Sequence, residues 1–330
     1  MCGSCFADNM ASRLEHYRFR VVSNPFGVLY NPFSIADMLE SLAAGRRFAA
    51  EDLDCDGELW FSYRHHGSFS GTDPQEVLRR IGRAADAGGR ALCEADTVVL
   101  TLGTAWVYEL ARDGGVVANC HKQPTRLFRR RLLEVGEIEE RLSELMTGCL
   151  AGKRVVLTVS PIRHMGDGAV ENSVGKASLL VAVHRLAKRF ADVLYFPAYE
   201  IMNDDLRDYR FYAPDMVHPS PQAVDYIWER FAGAAFSDGT RRLMAEIDAV
   251  AAAAAHRPQN PDSEAHRRFK ASMRLRVERL AAELPEGDWS VERAAFAQST
   301  LPGLRFIRTL WNECSGSLLS LWLDCFEAFA

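Results

Sequence analysis

Three short runs of continuously apolar, β-branched residues constrain this chain most: Thr97-Val98-Val99-Leu100-Thr101-Leu102, Arg154-Val155-Val156-Leu157-Thr158-Val159 and Val193-Leu194-Tyr195-Phe196. None alternates apolar with polar residues as a half-exposed strand does, so each reads as a strand buried on both faces. Each stops at a turn former: Gly103, Ser160-Pro161 and Pro197. Between them lie stretches with helical apolar spacing, 135–150 (Ile138, Leu142, Leu145, Met146, Leu150) and 174–190 (Leu179, Leu180, Val183, Leu186, Phe190). Strand, helix, strand, helix, strand demands right-handed crossovers and a parallel sheet. A weaker strand is expected at Phe19-Arg20-Val21-Val22. An inserted hairpin is expected over 108–119, turning at Asp113-Gly114-Gly115.

The chain has 330 residues, with 39 Lys and Arg against 44 Asp and Glu, and the net charge of −5 supplies no field to gather nucleic acid. A chain this long buries its core without disulfide staples. The eight cysteines are therefore expected as free thiols in a reducing compartment, with Cys2 and Cys5 too close to the terminus for a redox motif. No apolar run approaches the ~20 residues of a membrane span. No charged-then-apolar leader opens the chain, which makes the cytoplasm the expected location. After residue 238 the composition shifts to an alanine-rich helix (Ala251 to Ala255), a charged helix ending at Pro285 and a Trp/Leu-rich tail. Residues 1–238 are therefore read as one α/β domain and 239–330 as a helical appendage. Trp311, Trp322 and Phe326 would form an exposed apolar patch unless the appendage folds back on the first domain or self-associates. The oligomeric state is not readable from the sequence.

Ligands of open parallel sheets bind beyond the carboxyl ends of the strands. That edge should carry Gly103-Thr104-Ala105-Trp106, Ser160-Pro161-Ile162-Arg163-His164 and Asn24-Pro25-Phe26-Gly27. Ser4 opens a helical pattern (Phe6, Met10, Leu14), where a serine is commonly an N-cap. Asp215-x-x-His218 changes the balance. A neutral imidazole can take a proton from a serine hydroxyl, and an aspartate beside it fixes the tautomer. Asp204, Asp205 and Asp208 read as a solvated helix end, with each an alternative to Asp215. His65-His66 lie in an aromatic loop with Trp60, Phe61, Tyr63 and Phe69. With no third ligand in spacing they read as pocket walls rather than a metal site, and no cofactor is expected. His66, Trp106, Arg163 and His164 are the candidate substrate contacts. Cys120-His121 is a poor nucleophile pair, since adjacent strand side chains face opposite ways.

Several segments carry a resemblance. Gly3-Ser4-Cys5-Phe6-Ala7, Asn24 to Pro32, Thr101 to Ala105, Asn119-Cys120-His121-Lys122, Ser160 to His164 and Phe196 to Pro219 resemble, in order, the GSCFA family, a branch similar to the SGNH-type hydrolases. The resemblance spans about residues 3–236. It implies a serine hydrolase on a flavodoxin-like, three-layer α/β/α sheet, with Ser4 as nucleophile and Asp215 and His218 completing a triad. It also implies that Gly27 helps hold the oxyanion. The third donor departs from the pattern, because the chain reads Gly103-Thr104-Ala105-Trp106 where an asparagine belongs. Gly103 and Asn119 are the candidates, with Asn119 equally a turn residue.

The expected activity is ester hydrolysis through an acyl-enzyme, on O-acyl groups of a glycan or another ester. An acyltransferase using the same triad and a non-catalytic glycan-binding homologue are the alternatives. Only Met1-Cys2-Gly3 precede Ser4, fewer than an ordinary strand of ~5–6 residues. The slot beside residues 97–102 is therefore expected to be empty. It would be filled by an apolar run encoded upstream or, less favourably, by the segment around Leu318 to Leu323.

Overall fold

The computed structural model describes residues 1–297, and the chain divides into two compact units between Met244 and Ala245. In order, the first unit contains β1 (Cys2–Gly3), α1 (Cys5–His16), α2 (Pro32–Ala43), β2 (Asp54–Cys55), β3 (Trp60–Phe61), α3 (Pro74–Glu94), β4 (Thr97–Leu102), β5 (Trp106–Leu110), β6 (Val116–Val117) and β7 (Phe128–Leu132). It continues with α4 (Val135–Thr147), β8 (Arg154–Val159), α5 (Ala169–Arg189), β9 (Val193–Tyr195), α6 (Ala198–Glu200) and α7 (Pro221–Ala235). Helix α8 (Asp238–Ala255) crosses the unit boundary.

The main sheet is parallel, in the order β1-β4-β8-β9. Thr97 pairs with Arg154 and Leu102 with Val159, so the two long strands end level. Their apolar continuity has a plain cause. Val98, Leu100 and Leu102 of β4 join Val155, Leu157 and Val159 of β8 in a core with Ile35, Leu39, Ile138, Leu142, Leu179, Val183 and Leu186. That core packs the sheet against α2, α4 and α5. On β8 the intervening Val156 packs on the other side, against a second core built from Phe6 and Met10 of α1 and Ile227, Trp228 and Phe231 of α7. Alternate residues thus enter different layers, giving a three-layer α/β/α architecture.

The slot beside β4 is not empty, contrary to the sequence expectation. Cys2 and Gly3 fill it with a two-residue strand, in register with Leu100 and Thr101. The expected strand at 19–22 does not form. That segment leads into a stretch that flanks β1 instead: Met1 N donates to Val22 O at 2.6 Å, Asn24 N to Met1 O at 2.9 Å and Leu29 N to Gly3 O at 2.9 Å. The hairpin forms as β5 and β6, with the Asp113 carboxylate accepting from Gly115 N at 2.8 Å in the turn. Strand β7 pairs along the other side of β5, which the sequence reading missed.

In the second unit, α9 (Glu264–Glu283) and α10 (Ser290–Ala295) bury Val277, Leu280 and Trp289. Arg293 pairs with Glu278 at 2.7 Å. The apolar tail with Trp311, Leu318 to Leu323 and Phe326 lies outside the described residues. No helix among the described residues is long and apolar enough to cross a membrane.

Candidate active site

The β1–α1 junction turns on two residues with separate tasks. Gly3 sits at φ +137°, a region side-chain-bearing residues rarely adopt, and a Cβ there would lie 2.0 Å from Thr101 O. Ser4 caps α1, its Oγ accepting from Phe6 N at 3.3 Å. Its own amide is shared between Thr101 O (3.1 Å) and Thr101 Oγ1 (3.0 Å). The Ser4 hydroxyl donates to Ser160 Oγ at 2.9 Å, just past the end of β8. Ser4 is buried, 1% exposed, at the N-terminus of a 12-residue helix whose dipole favours negative charge there.

Asp215 and His218 belong to a loop that closes on itself. Tyr212 bridges Pro219, and Ala213 N donates to His218 O at 2.7 Å. Met216 takes φ 61° at the turn. Asp215 Oδ1 accepts from the amides of Val217 (2.9 Å) and His218 (3.0 Å), and Oδ2 lies 2.6 Å from His218 Nδ1. The His218 and Val217 amides, followed by the His218 ring, hold the Asp215 carboxyl down at about 2. With Nδ1 donating to the carboxylate, Nε2 is the ring atom left to accept a proton. The His218 side chain is about half exposed.

The loop after β8 ties both parts together. Its Ser160 receives the Ser4 hydroxyl. Arg163 N donates to Val217 O at 3.2 Å, its Nη1 donates to Met216 O at 3.2 Å, and its guanidinium lies 4.0 Å over the Tyr212 ring. Asp215 and His218 are thus hydrogen-bonded to each other, while Ser4 is bonded to Ser160 and not to His218.

The profile of the GSCFA family matches residues 1–231, and that of the GSCFA domain protein C-terminal domain matches residues 247–300. The chain belongs to the GSCFA family. Comparison with curated proteins and with solved structures finds no match. In this GSCFA protein the signature pentapeptide, Gly3 to Ala7, is the β1–α1 junction itself.

The remaining candidates take varied positions. The turn carrying Gly27 (φ +78°) is tied to β1, since Asn24 Oδ1 accepts from Gly3 N at 2.8 Å. The Gly27 amide is donated to Asn24 O at 2.7 Å, and the Gly103 amide to Tyr30 O at 2.7 Å. Asn119 Oδ1 accepts from His121 N at 2.7 Å, as a turn asparagine does. Its side-chain N–H groups bond no acceptor among the described residues. The Trp106 indole donates to Glu171 O at 2.9 Å, and Arg130 covers its ring at 3.8 Å. Arg163 is committed to the His218 loop, as described. The His164 ring stands 6.1 Å from that of Tyr30, and its amide donates to Asn172 Oδ1. His66 caps the turn at Gly67–Phe69, its Nδ1 lying 3.1 Å from Ser68 Oγ.

His65 is fully buried among Phe26 (4.2 Å between ring centroids), Phe48 (5.0 Å) and Phe69 (5.3 Å). Neither ring nitrogen finds a partner among the described residues. Burial, followed by the nearby Arg64 charge, pulls the imidazole down to about 3. The unfolded chain takes up a proton near pH 6.5, and the folded chain does not until about 3. Stability from this site is therefore full above pH 6.5 and is lost as pH falls, by roughly 1.4 kcal/mol per pH unit. Urea unfolding of His65→Phe should show a correspondingly shallower acid slope than the wild type. Parallel slopes would refute the assignment.

Sequence reasoning singled out neither Thr101 nor the hydroxyl of Ser160, and it missed Lys176. Lys176 was visible as an anomaly, because it falls on the apolar stripe shared by Leu179, Leu180 and Val183.

Proposed function

We propose that this GSCFA protein is a serine ester hydrolase of the SGNH type, working through an acyl-enzyme. The observation that carries the reading is the 2.6 Å contact between Asp215 Oδ2 and His218 Nδ1, on a loop bonded to the segment that receives the Ser4 hydroxyl. The catalytic cycle starts when Ser4 Oγ leaves Ser160 and gives its proton to His218 Nε2. The oxygen attacks the ester carbonyl, and the resulting imidazolium is stabilised by Asp215. His218 then returns the proton to the departing alkoxide, leaving acyl-Ser4. Water, deprotonated by His218, releases the acid and restores the hydroxyl. The α1 N-terminus favours the developing negative charge. Of the three expected oxyanion donors, Asn119 alone keeps an N–H uncommitted among the described residues. The substrate class is an O-acylated glycan. An acceptor sugar in place of water would make the same cycle an acyl transfer.

A second reading, a glycan-binding protein without turnover, draws on the burial of Ser4 and its bond to Ser160 rather than to His218. A fluorophosphonate probe separates the two. Covalent mass gained on the peptide containing Ser4 supports the hydrolase. No labelling, in a protein that binds saccharide, sinks it in favour of the binder.

A further inference from the structure

Lys176 is the one lysine among the described residues placed in the core, 1% exposed on the sheet-facing side of α5. Its Nζ donates to the carbonyl of Ser160 at 2.6 Å and lies 5.8 Å from the centre of the Tyr199 ring. Among the described residues no carboxylate pairs with it. An ammonium has three N–H donors, and here one of them reaches an acceptor. Burial brings this group down to about 7, because a site without water or a counter-charge disfavours the ammonium. The fold has no use for such a residue as packing, since a methionine would fill the same volume without the desolvation cost. What Lys176 does hold is the peptide of Ser160. The residue is held on both sides, because the amide of the preceding peptide, Ser160 N, donates to Leu102 O at 2.8 Å. The side chain of the same residue accepts from Ser4 Oγ at 2.9 Å and from Ile162 N at 3.3 Å.

We propose that Lys176 is a positioning residue which, by anchoring the Ser160 peptide, sets the orientation of the Ser4 hydroxyl. The inference rests on Ser4 being the nucleophile. Lys176 hydrogen-bonds Ser160 and not Ser4. It acts through Ser160, whose hydroxyl oxygen fixes the direction in which the Ser4 hydrogen points before His218 takes it. Stability is thereby spent on a geometry that the fold alone does not need.

This gives a signature that an ordinary core residue does not. Lys176→Met should melt at or above the wild-type temperature. At the same time, fluorophosphonate labelling of Ser4 should slow on the order of tenfold or more at saturating probe, with the half-saturating concentration unchanged. Lys176→Ala should show the same slowing, partly reversed by added ethylamine. Full-rate labelling in a folded Lys176→Met protein overturns the proposal. So does a melting temperature that falls together with reactivity, which is the behaviour of a purely structural residue. If wild-type Ser4 does not label at all, the hydrolase reading fails on its own. Amide hydrogen exchange then decides the anchoring separately: faster exchange at Ser160 and Ile162 in Lys176→Met supports it, and unchanged exchange refutes it.

Discussion

Ser4→Ala is expected to bring hydrolysis of an activated acetyl ester down by on the order of 10⁴-fold or more, and His218→Ala to match it. The two losses should be nearly equal because the hydroxyl and its base act as a unit, and removing either removes the same step. Asp215→Ala should leave more activity. His218 keeps its ring without the carboxylate but loses the preference for Nδ1–H, so only part of the population presents an accepting Nε2. The Asp215 carboxyl, held at about 2, stays ionised across the working range. Any loss of activity between about pH 4 and 8 therefore belongs to a group other than Asp215, while Asp215→Asn should lower the rate. Asn119→Ala should cost on the order of 10²–10³ in kcat if its amide holds the oxyanion, and little if it serves only its turn. Steady-state rates of these variants, with circular dichroism to establish folding, check the set. A His218→Ala protein with near wild-type turnover would remove the triad.

The parts of the molecule that were legible in the sequence are those whose stability is local or strongly patterned. Strands β4 and β8 are mostly buried on both faces past their first residue, so the run is nearly continuous in apolar and β-branched residues and stands out. Strand β7 hid because it reads Phe128-Arg129-Arg130-Arg131-Leu132. Its arginines are accommodated across the ladder, with Arg131 on Glu109 at 2.5 Å and Arg130 over Trp106. No single-segment pattern reports such partners. Residues 19–22 misled for the opposite reason, with β-prone side chains but no ladder to join. Within the site, Asp215 and His218 were readable because three residues of spacing in a tight loop bring them together. Ser160 and Lys176 were not, since their relation to Ser4 arises where α5 packs against β8 and the segment that follows it, a contact that no local spacing encodes.

Gly3→Ala should be the most damaging small substitution in the first unit, and a comparison with Gly57→Ala shows why. Both glycines hold positive φ, +137° at Gly3 and +103° at Gly57. A methyl group at Gly57 meets nothing within 4 Å, so that variant carries backbone strain alone, about 1–2 kcal/mol. At Gly3 the same methyl would lie 2.0 Å from Thr101 O and 2.4 Å from Thr101 Oγ1. Those two atoms receive the Ser4 amide, and Thr101 is paired into a central strand, so it cannot step aside without disturbing the β4–β8 register. The two-residue β1 must move instead. Its hold on the sheet is short, and displacing it withdraws Cys2 from the core and carries Ser4 away from Ser160. The expected cost is about 3 kcal/mol or more in urea unfolding, with Ser4 labelling lost even in the fraction that stays folded. Gly57→Ala should label like the wild type. Equal stability and equal labelling in the two variants would mean that β1 neither needs the close approach to Thr101 nor delivers Ser4 to its place.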